Sequence, residues 1–127
     1  MSVANNIAYE IPDFYLGILP AGADLSAKQY KAMDVAAGPV IAQCDAAAAM
    51  VGILQNAPVM GEAAQLMVEG VSKALLAGVV VEGSILAVDA TGGLRVAASG
   101  EFGVAKALQA GASGAVVAVL LFGYGKQ

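Results

Sequence analysis

The sequence predicts an all-β protein: a small, compact barrel or sandwich with one short helical turn and an extended N-terminal arm. Short runs rich in Val, Ile, Leu and Ala recur at a spacing of roughly 8–12 residues, which is typical of barrels and sandwiches. Most of these runs are bounded by glycine, of which the 127-residue chain contains 16. The pattern therefore favours strands joined by tight turns over helices.

Nine strands are predicted, at residues 29–33, 40–44, 51–55, 64–68, 72–75, 84–88, 94–97, 104–109 and 115–122. The turns between them are marked by pairs such as Gly38-Pro39, Glu69-Gly70 and Glu82-Gly83. Asp89, which begins the run DATGG, is expected to form a hairpin turn in which its carboxylate accepts a backbone hydrogen bond. The same run has too few further oxygen ligands for a calcium loop.

One stretch departs from the strand pattern. Residues 45–50 read DAAAAM. Alanine has the highest helix propensity, and aspartate is a favoured N-cap residue. One or two helical turns are therefore predicted here.

The chain is predicted to divide into an extended N-terminal arm, residues 1–27, and a β domain, residues 28–127. The arm contains Pro12 and Pro20 and shows no sustained period, yet it holds Tyr9, Phe14 and Tyr15, whereas disordered tails are poor in aromatic residues. We therefore expect Tyr9, Phe14, Tyr15 and Leu16 to bind another protein surface. The alternative is that the segment supplies an edge strand to its own domain.

The residue inventory argues against catalysis. The chain has no histidine, which removes the commonest general base, and Cys44 is its single cysteine, so a zinc cluster is not expected. The ten carboxylates are dispersed next to turn residues. The sequence therefore predicts a protein that is not an enzyme, with no catalytic, cofactor-binding or metal site, no cofactor and no small-molecule substrate.

Charge and hydropathy limit the partners. Only six residues are basic, and they are scattered, so no nucleic-acid-binding stripe is expected. The mean hydropathy is high, +0.76. The longest apolar run, however, covers only residues 115–122, far short of the ~20 residues of a membrane span. The first 27 residues contain no Lys or Arg, so a protein made in the cytoplasm and not secreted is expected.

A composition that is 59% hydrophobic and 13% charged also predicts surface that a partner covers. Two alternatives to an assembly protein stay open. The first is a carrier or ligand-binding β barrel, although Lys106 is expected on an outward strand face and not at the exposed hairpin tip that carriers use. The second is a shell or fibre subunit that forms its own lattice.

A run of short motifs carries a resemblance to a known family: VGILQNAP at residues 51–58, GEAA at 61–64, VEGVSKA at 68–74, Gly78, VEGSIL at 81–86, Asp89 with Gly92 and Gly93, GVAKAL at 103–108 and the stretch from Gly111 to Leu121. In this order they resemble the capsid decoration (cement) proteins of tailed bacteriophages, over about residues 28–123. The resemblance implies a β-tulip-like barrel and a homotrimer. It also implies the major capsid protein as partner and a place on the outer capsid surface of the virion, with the arm reaching neighbouring subunits.

Overall fold

The computed structural model describes residues 14–17 and 19–127. These residues form a single curled antiparallel sheet, a half-barrel without helices, which confirms the predicted all-β class. The strands are β1 (Phe14–Leu16), β2 (Ala32–Ala36), β3 (Val40–Gln43), β4 (Gly52–Leu54), β5 (Leu66–Leu75), β6 (Ile85–Val88), β7 (Leu94–Val96), β8 (Phe102–Ala107) and β9 (Val116–Lys126).

The strands follow the order β3-β2-β4-β5-β9-β8-β6-β7, with β1 paired to β5 outside this path. Strand β5 links the two halves of the sheet. Its first residues pair with β4 and with β1, whereas residues from Gly70 onward pair with β9. The change of partner occurs at Gly70, whose φ of 113° lies in the region that favours glycine.

Two backbone hydrogen bonds connect opposite sides of the half-barrel. The Ala32 amide donates a hydrogen bond of 2.8 Å to the carbonyl of Gly92, and the Ala47 amide donates one of 2.8 Å to the carbonyl of Val88. These bonds join the β2 end of the sheet to the hairpin of β6 and β7. They satisfy backbone groups that an open sheet would leave unpaired.

The concave side of the sheet holds the core. Between Glu69 and Ala74 of β5 and between Val116 and Leu121 of β9, buried and more exposed residues alternate, as the two-residue period of a strand requires. The largest fully buried side chains are Met33, Ile41, Ile53, Leu54, Leu66, Leu76, Val80, Leu86, Val88, Leu94, Val119 and Leu121. Ser72 is a buried polar residue of β5, and its hydroxyl accepts a hydrogen bond of 2.9 Å from the Gln55 side-chain amide.

The described part of the N-terminal segment contacts the rest of the domain. Strand β1 pairs with β5, with Tyr15 opposite Met67 and Leu16 opposite Leu66. Further along, Ala21 and Leu25 are 2% and 3% exposed and belong to a core cluster with residues of β2 and β3. This arrangement corresponds to the alternative in which the segment adds a strand to its own sheet.

The structure corrects three details of the predicted elements. The helical turns predicted at residues 45–50 are wrong, because Ala47 takes a φ of 58° and these residues form a non-helical turn. The predicted strands 64–68 and 72–75 are one strand, because Gly70 bends the chain without ending it. No strand was placed at residues 14–16, although an edge strand from the N-terminal segment was the alternative that the sequence left open.

Candidate interaction surfaces

Residue types that often bind metals or act as nucleophiles were located in the described part of the chain. Among residues 14–17 and 19–127, no three His, Cys, Asp or Glu side chains come together as metal ligands. Cys44 is buried, and burial together with the nearby carboxylates of Asp34 and Asp45 raises its pKa to about 12. A thiol with this pKa stays protonated at neutral pH and is a poor nucleophile.

The most extensive ionic contact ties a turn together. Arg95 on β7 lies between Asp89 and Glu101, with its Nε 3.4 Å from Asp89 Oδ1. Asp89 also accepts hydrogen bonds from the amide and the hydroxyl of Thr91, as predicted for an Asx turn. These hydrogen bonds, and after them the charge of Arg95, lower the pKa of Asp89. The charge of Arg95 is therefore paired with the carboxylates of Asp89 and Glu101, and these contacts hold the loops on either side of β7.

Strands β5, β9 and β8 present an apolar outer face. Val71 lies directly opposite Leu120, which in turn lies opposite Lys106. Val71 is 51% exposed and Leu120 is 37% exposed. We call the exposed residues Val71, Leu108, Val116 and Leu120 the outer face. Val71, Val116 and Leu120 lie on the adjacent strands β5 and β9, and Leu108 directly follows β8. Exposed apolar side chains grouped in this way form the kind of patch that partners cover.

Two apolar loops lie beyond the two ends of β5. The loop before β5 exposes Val59 and Met60, the latter by 71%. The loop after it exposes Val79 and Val81, the former by 76%. Exposed loops are usually polar, so apolar tips at both ends add to the surface that a partner can bury.

A groove of about 620 Å³ opens between β5, the loop before β4, the start of β8 and the end of β9. Its walls include Met50, Val68, Glu69, Phe102, Phe122 and Gly123. Among the described residues that line it, Glu69 is the only charged one. Phe122 is 57% exposed and packs edge-to-face on Tyr124, with ring centroids 5.6 Å apart.

The predicted arm residues are only partly described. Phe14, Tyr15 and Leu16 form β1, where their backbone pairs with β5. Tyr9 lies outside the described residues. The structure does not test whether these four residues bind another protein, and that site stays a prediction. Lys106 lies on β8 with an exposed side chain, on the outward face where the sequence placed it.

Sequence reasoning did not identify the outer face or the groove. Leu120 and Phe122 belong to β9, where buried and exposed residues up to Phe122 are both apolar, so alternation of polarity gives no signal there. Val71 is a single apolar residue between the exposed charged residues Glu69 and Lys73 of β5. A count of apolar residues on both faces of β9 is the signal that could have found the outer face.

Comparison with known proteins gives a likeness of fold. No protein-family model matches the chain, and no curated protein sequence matches it. Among solved structures, the chain is similar to the N base of the head fibre gp8.5 of bacteriophage phi29, with a TM-score of 0.74. The match covers 90% of this chain and 98% of that one, at 11% sequence identity. At this identity the likeness shows a shared fold over nearly the whole of both chains.

Proposed function

We propose that this chain is a structural protein of a phage head, and that it decorates the outer surface of the assembled capsid. The observation that carries the proposal is the likeness of fold to the base of a phage head fibre over 90% of the chain. The motif order that resembles capsid decoration proteins points the same way. The role is non-enzymatic and needs no cofactor. The virion is the expected location.

The exposed apolar residues support an assembly role. The outer face and the two loop tips leave eight large apolar side chains exposed: Val59, Met60, Val71, Val79, Val81, Leu108, Val116 and Leu120. A protein that binds only the assembled shell stabilises the shell by mass action, and burial of such side chains supplies the binding free energy.

We infer a homotrimer in which the outer face contacts the neighbouring copy. On the shell, Tyr9, Phe14, Tyr15 and Leu16 contact the major capsid protein or a neighbouring copy.

The binding test uses shells assembled from the major capsid protein of the phage that carries this chain. Co-sedimentation should recover the protein with expanded shells and raise the temperature at which the shells disassemble. Failure to bind the shells at micromolar concentration would contradict the capsid role.

The trimer has a separate test. Light scattering coupled to size exclusion should give about three times the 12.5 kDa chain mass. Val71→Lys on the outer face should shift the mass toward the monomer. Val96→Lys makes the same change on β7, where Val96 is 47% exposed, and should leave the mass unchanged. A monomeric wild-type protein, or equal behaviour of both variants, would contradict the trimer contact.

A fibre base is the second candidate function, favoured by the named neighbour itself. In this case the domain anchors a projecting fibre instead of covering the shell surface. Electron microscopy of decorated shells separates the two: compact knobs support decoration, whereas projecting fibres or open-ended polymers of the purified protein support a fibre subunit.

A further inference from the structure

The groove lies where the described part of the chain begins. The backbone of Phe14 pairs with Glu69, and Glu69 lines the groove. The next position along β5, Gly70, pairs with Leu121 of β9. Strand β9 therefore occupies the edge of β5 directly beyond its pairing with β1. Residues 1–13, which lie outside the described part, connect to the domain at the groove wall.

The β9 wall of the groove has no side chain at Gly123. Nothing lies within 4 Å of a Cβ built on Gly123, and its φ lies outside the left-handed region. Neither crowding nor backbone conformation therefore requires glycine at this position. A glycine inside a strand often marks a place where another backbone approaches closely.

The sequence just before β1 suits such a groove. Residues 7–12 read IAYEIP. In an extended conformation Ile7, Tyr9 and Ile11 fall on one face, since side chains of a strand alternate. Six extended residues span up to about 20 Å. A volume of about 620 Å³ lies within the range of pockets that bury apolar groups.

We propose that residues 7–12 of the same chain occupy this groove in the free protein, with Ile7, Tyr9 and Ile11 directed into it. The tether at Phe14 favours the chain's own segment over any other occupant, because a short linker gives an effective concentration in the millimolar range. The inference does not depend on the proposed function. It describes the protein before any partner binds, and contact of Tyr9 with a shell then requires the segment to leave the groove.

The test uses the full-length chain, which contains no tryptophan. A Tyr9→Trp substitution introduces a single fluorescent reporter. Its emission should be blue-shifted and protected from acrylamide, and both properties should be unchanged by dilution. Gly123→Val, which fills the groove, and Phe122→Glu, which places a charge in it, should each abolish the shift. Val96→Glu lies on β7, outside both the groove and the outer face, and should preserve the shift.

Circular dichroism of each variant verifies that the β domain is folded, and the two groove substitutions act by different means. Emission typical of an exposed tryptophan in the Tyr9→Trp protein would overturn the proposal. So would a shift that survives both groove substitutions, since the segment would then lie elsewhere. A shift that is lost on dilution would assign the groove to a second copy and would also overturn it.

Discussion

The guanidinium of Arg95 and the carboxylate of Glu101 form two parallel hydrogen bonds. Arg95 Nη1 donates to Glu101 Oε1 at 2.6 Å, and Nη2 donates to Oε2 at 2.8 Å. The same Oε1 accepts a hydrogen bond of 2.7 Å from the Ala98 amide. The Arg95 hydrogen bonds and then the Ala98 hydrogen bond lower the pKa of Glu101 from 4.5 to about 2. Glu101 therefore fixes the turn between β7 and β8 in its charged form.

This contact predicts a pH-dependent part of the stability. Because the folded pKa lies below the unfolded pKa, the stabilisation is fully present above pH 4.5 and is lost as the pH falls towards 2. Glu101→Gln should lower the urea midpoint at pH 7, and its difference from wild type should shrink as the pH approaches 2. Glu82→Gln, the same change at an exposed turn, should leave the midpoint unchanged. Equal pH profiles for wild type and Glu101→Gln would refute the assignment.

Gly52 predicts a steric effect between β4 and β5. A Cβ at this position would overlap the carbonyl oxygen of Met67, a backbone atom that can move only with β5. Gly52→Ala should therefore lower the free energy of unfolding by roughly 1–3 kcal/mol, as overpacking does. Gly78→Ala places its methyl group at an ordinary contact distance, 3.8 Å from Arg95 Cβ, and should change the free energy by less than about 0.5 kcal/mol. Denaturant titration measures the free energy of unfolding of both variants. Equal values would show that β5 shifts to accommodate the methyl group without loss of stability.

Cys44 predicts a thiol that reacts only after unfolding. It is buried, and its pKa is raised to about 12, so the thiolate is scarce in the folded protein at pH 8. An aromatic disulfide reagent should modify no thiol in the native protein and one thiol per chain in denaturant. The raised pKa also predicts that stability declines above pH 9, where the unfolded thiol ionises first. Rapid modification under native conditions would contradict the buried position.

Two N-terminal deletions should behave differently. Removal of residues 2–13 leaves all described strands intact and should preserve the folded domain. Removal of residues 2–24 deletes β1 and the buried Ala21, together with hydrogen bonds such as Ala21 N–H to the Glu62 carbonyl and Ile41 N–H to the Pro20 carbonyl. At about 1 kcal/mol per bond, this loss should destabilise the protein by several kcal/mol. Circular dichroism melting compares the two, and equal melting temperatures would indicate that residues 14–24 do not support the domain.

The strand content of the fold could be predicted because glycine turns and β-branched runs are local signals. The hairpin of β6 and β7 illustrates this, since Asp89 and the following glycines define the turn and its hydrogen bonds. At Gly70 the local signal gave a wrong prediction, a turn in the middle of strand β5. A glycine after Glu69 indicates a turn, but the flanking residues pair with different strands, so the chain bends and the strand continues. Only tertiary partners distinguish these outcomes.

Strand β1 and the interaction surfaces could not be predicted for a related reason. Phe14–Leu16 has three residues and no alternation, and it is a strand because β5 offers a free edge beside it. At residues 45–50, the propensity of alanine favours a helix. The Ala47 amide instead donates a hydrogen bond to the Val88 carbonyl, so a tertiary contact outweighs the local propensity. The outer face could not be identified from the sequence, because its residues are as apolar as the neighbouring core residues.

The position of β9 has a consequence for how the protein is made. Strand β5 gains its longest partner only when residues 116–121 exist, about 40 residues after β5 ends. The hairpins β2–β3 and β6–β7 close over short turns, whereas the β5–β9 pairing must close a long loop, which makes folding slow. During synthesis, β5 therefore lacks its longest partner until residues 116–121 have left the ribosome. During that interval the apolar residues of β5 lack the strand that covers them, and exposed strands of this kind favour aggregation.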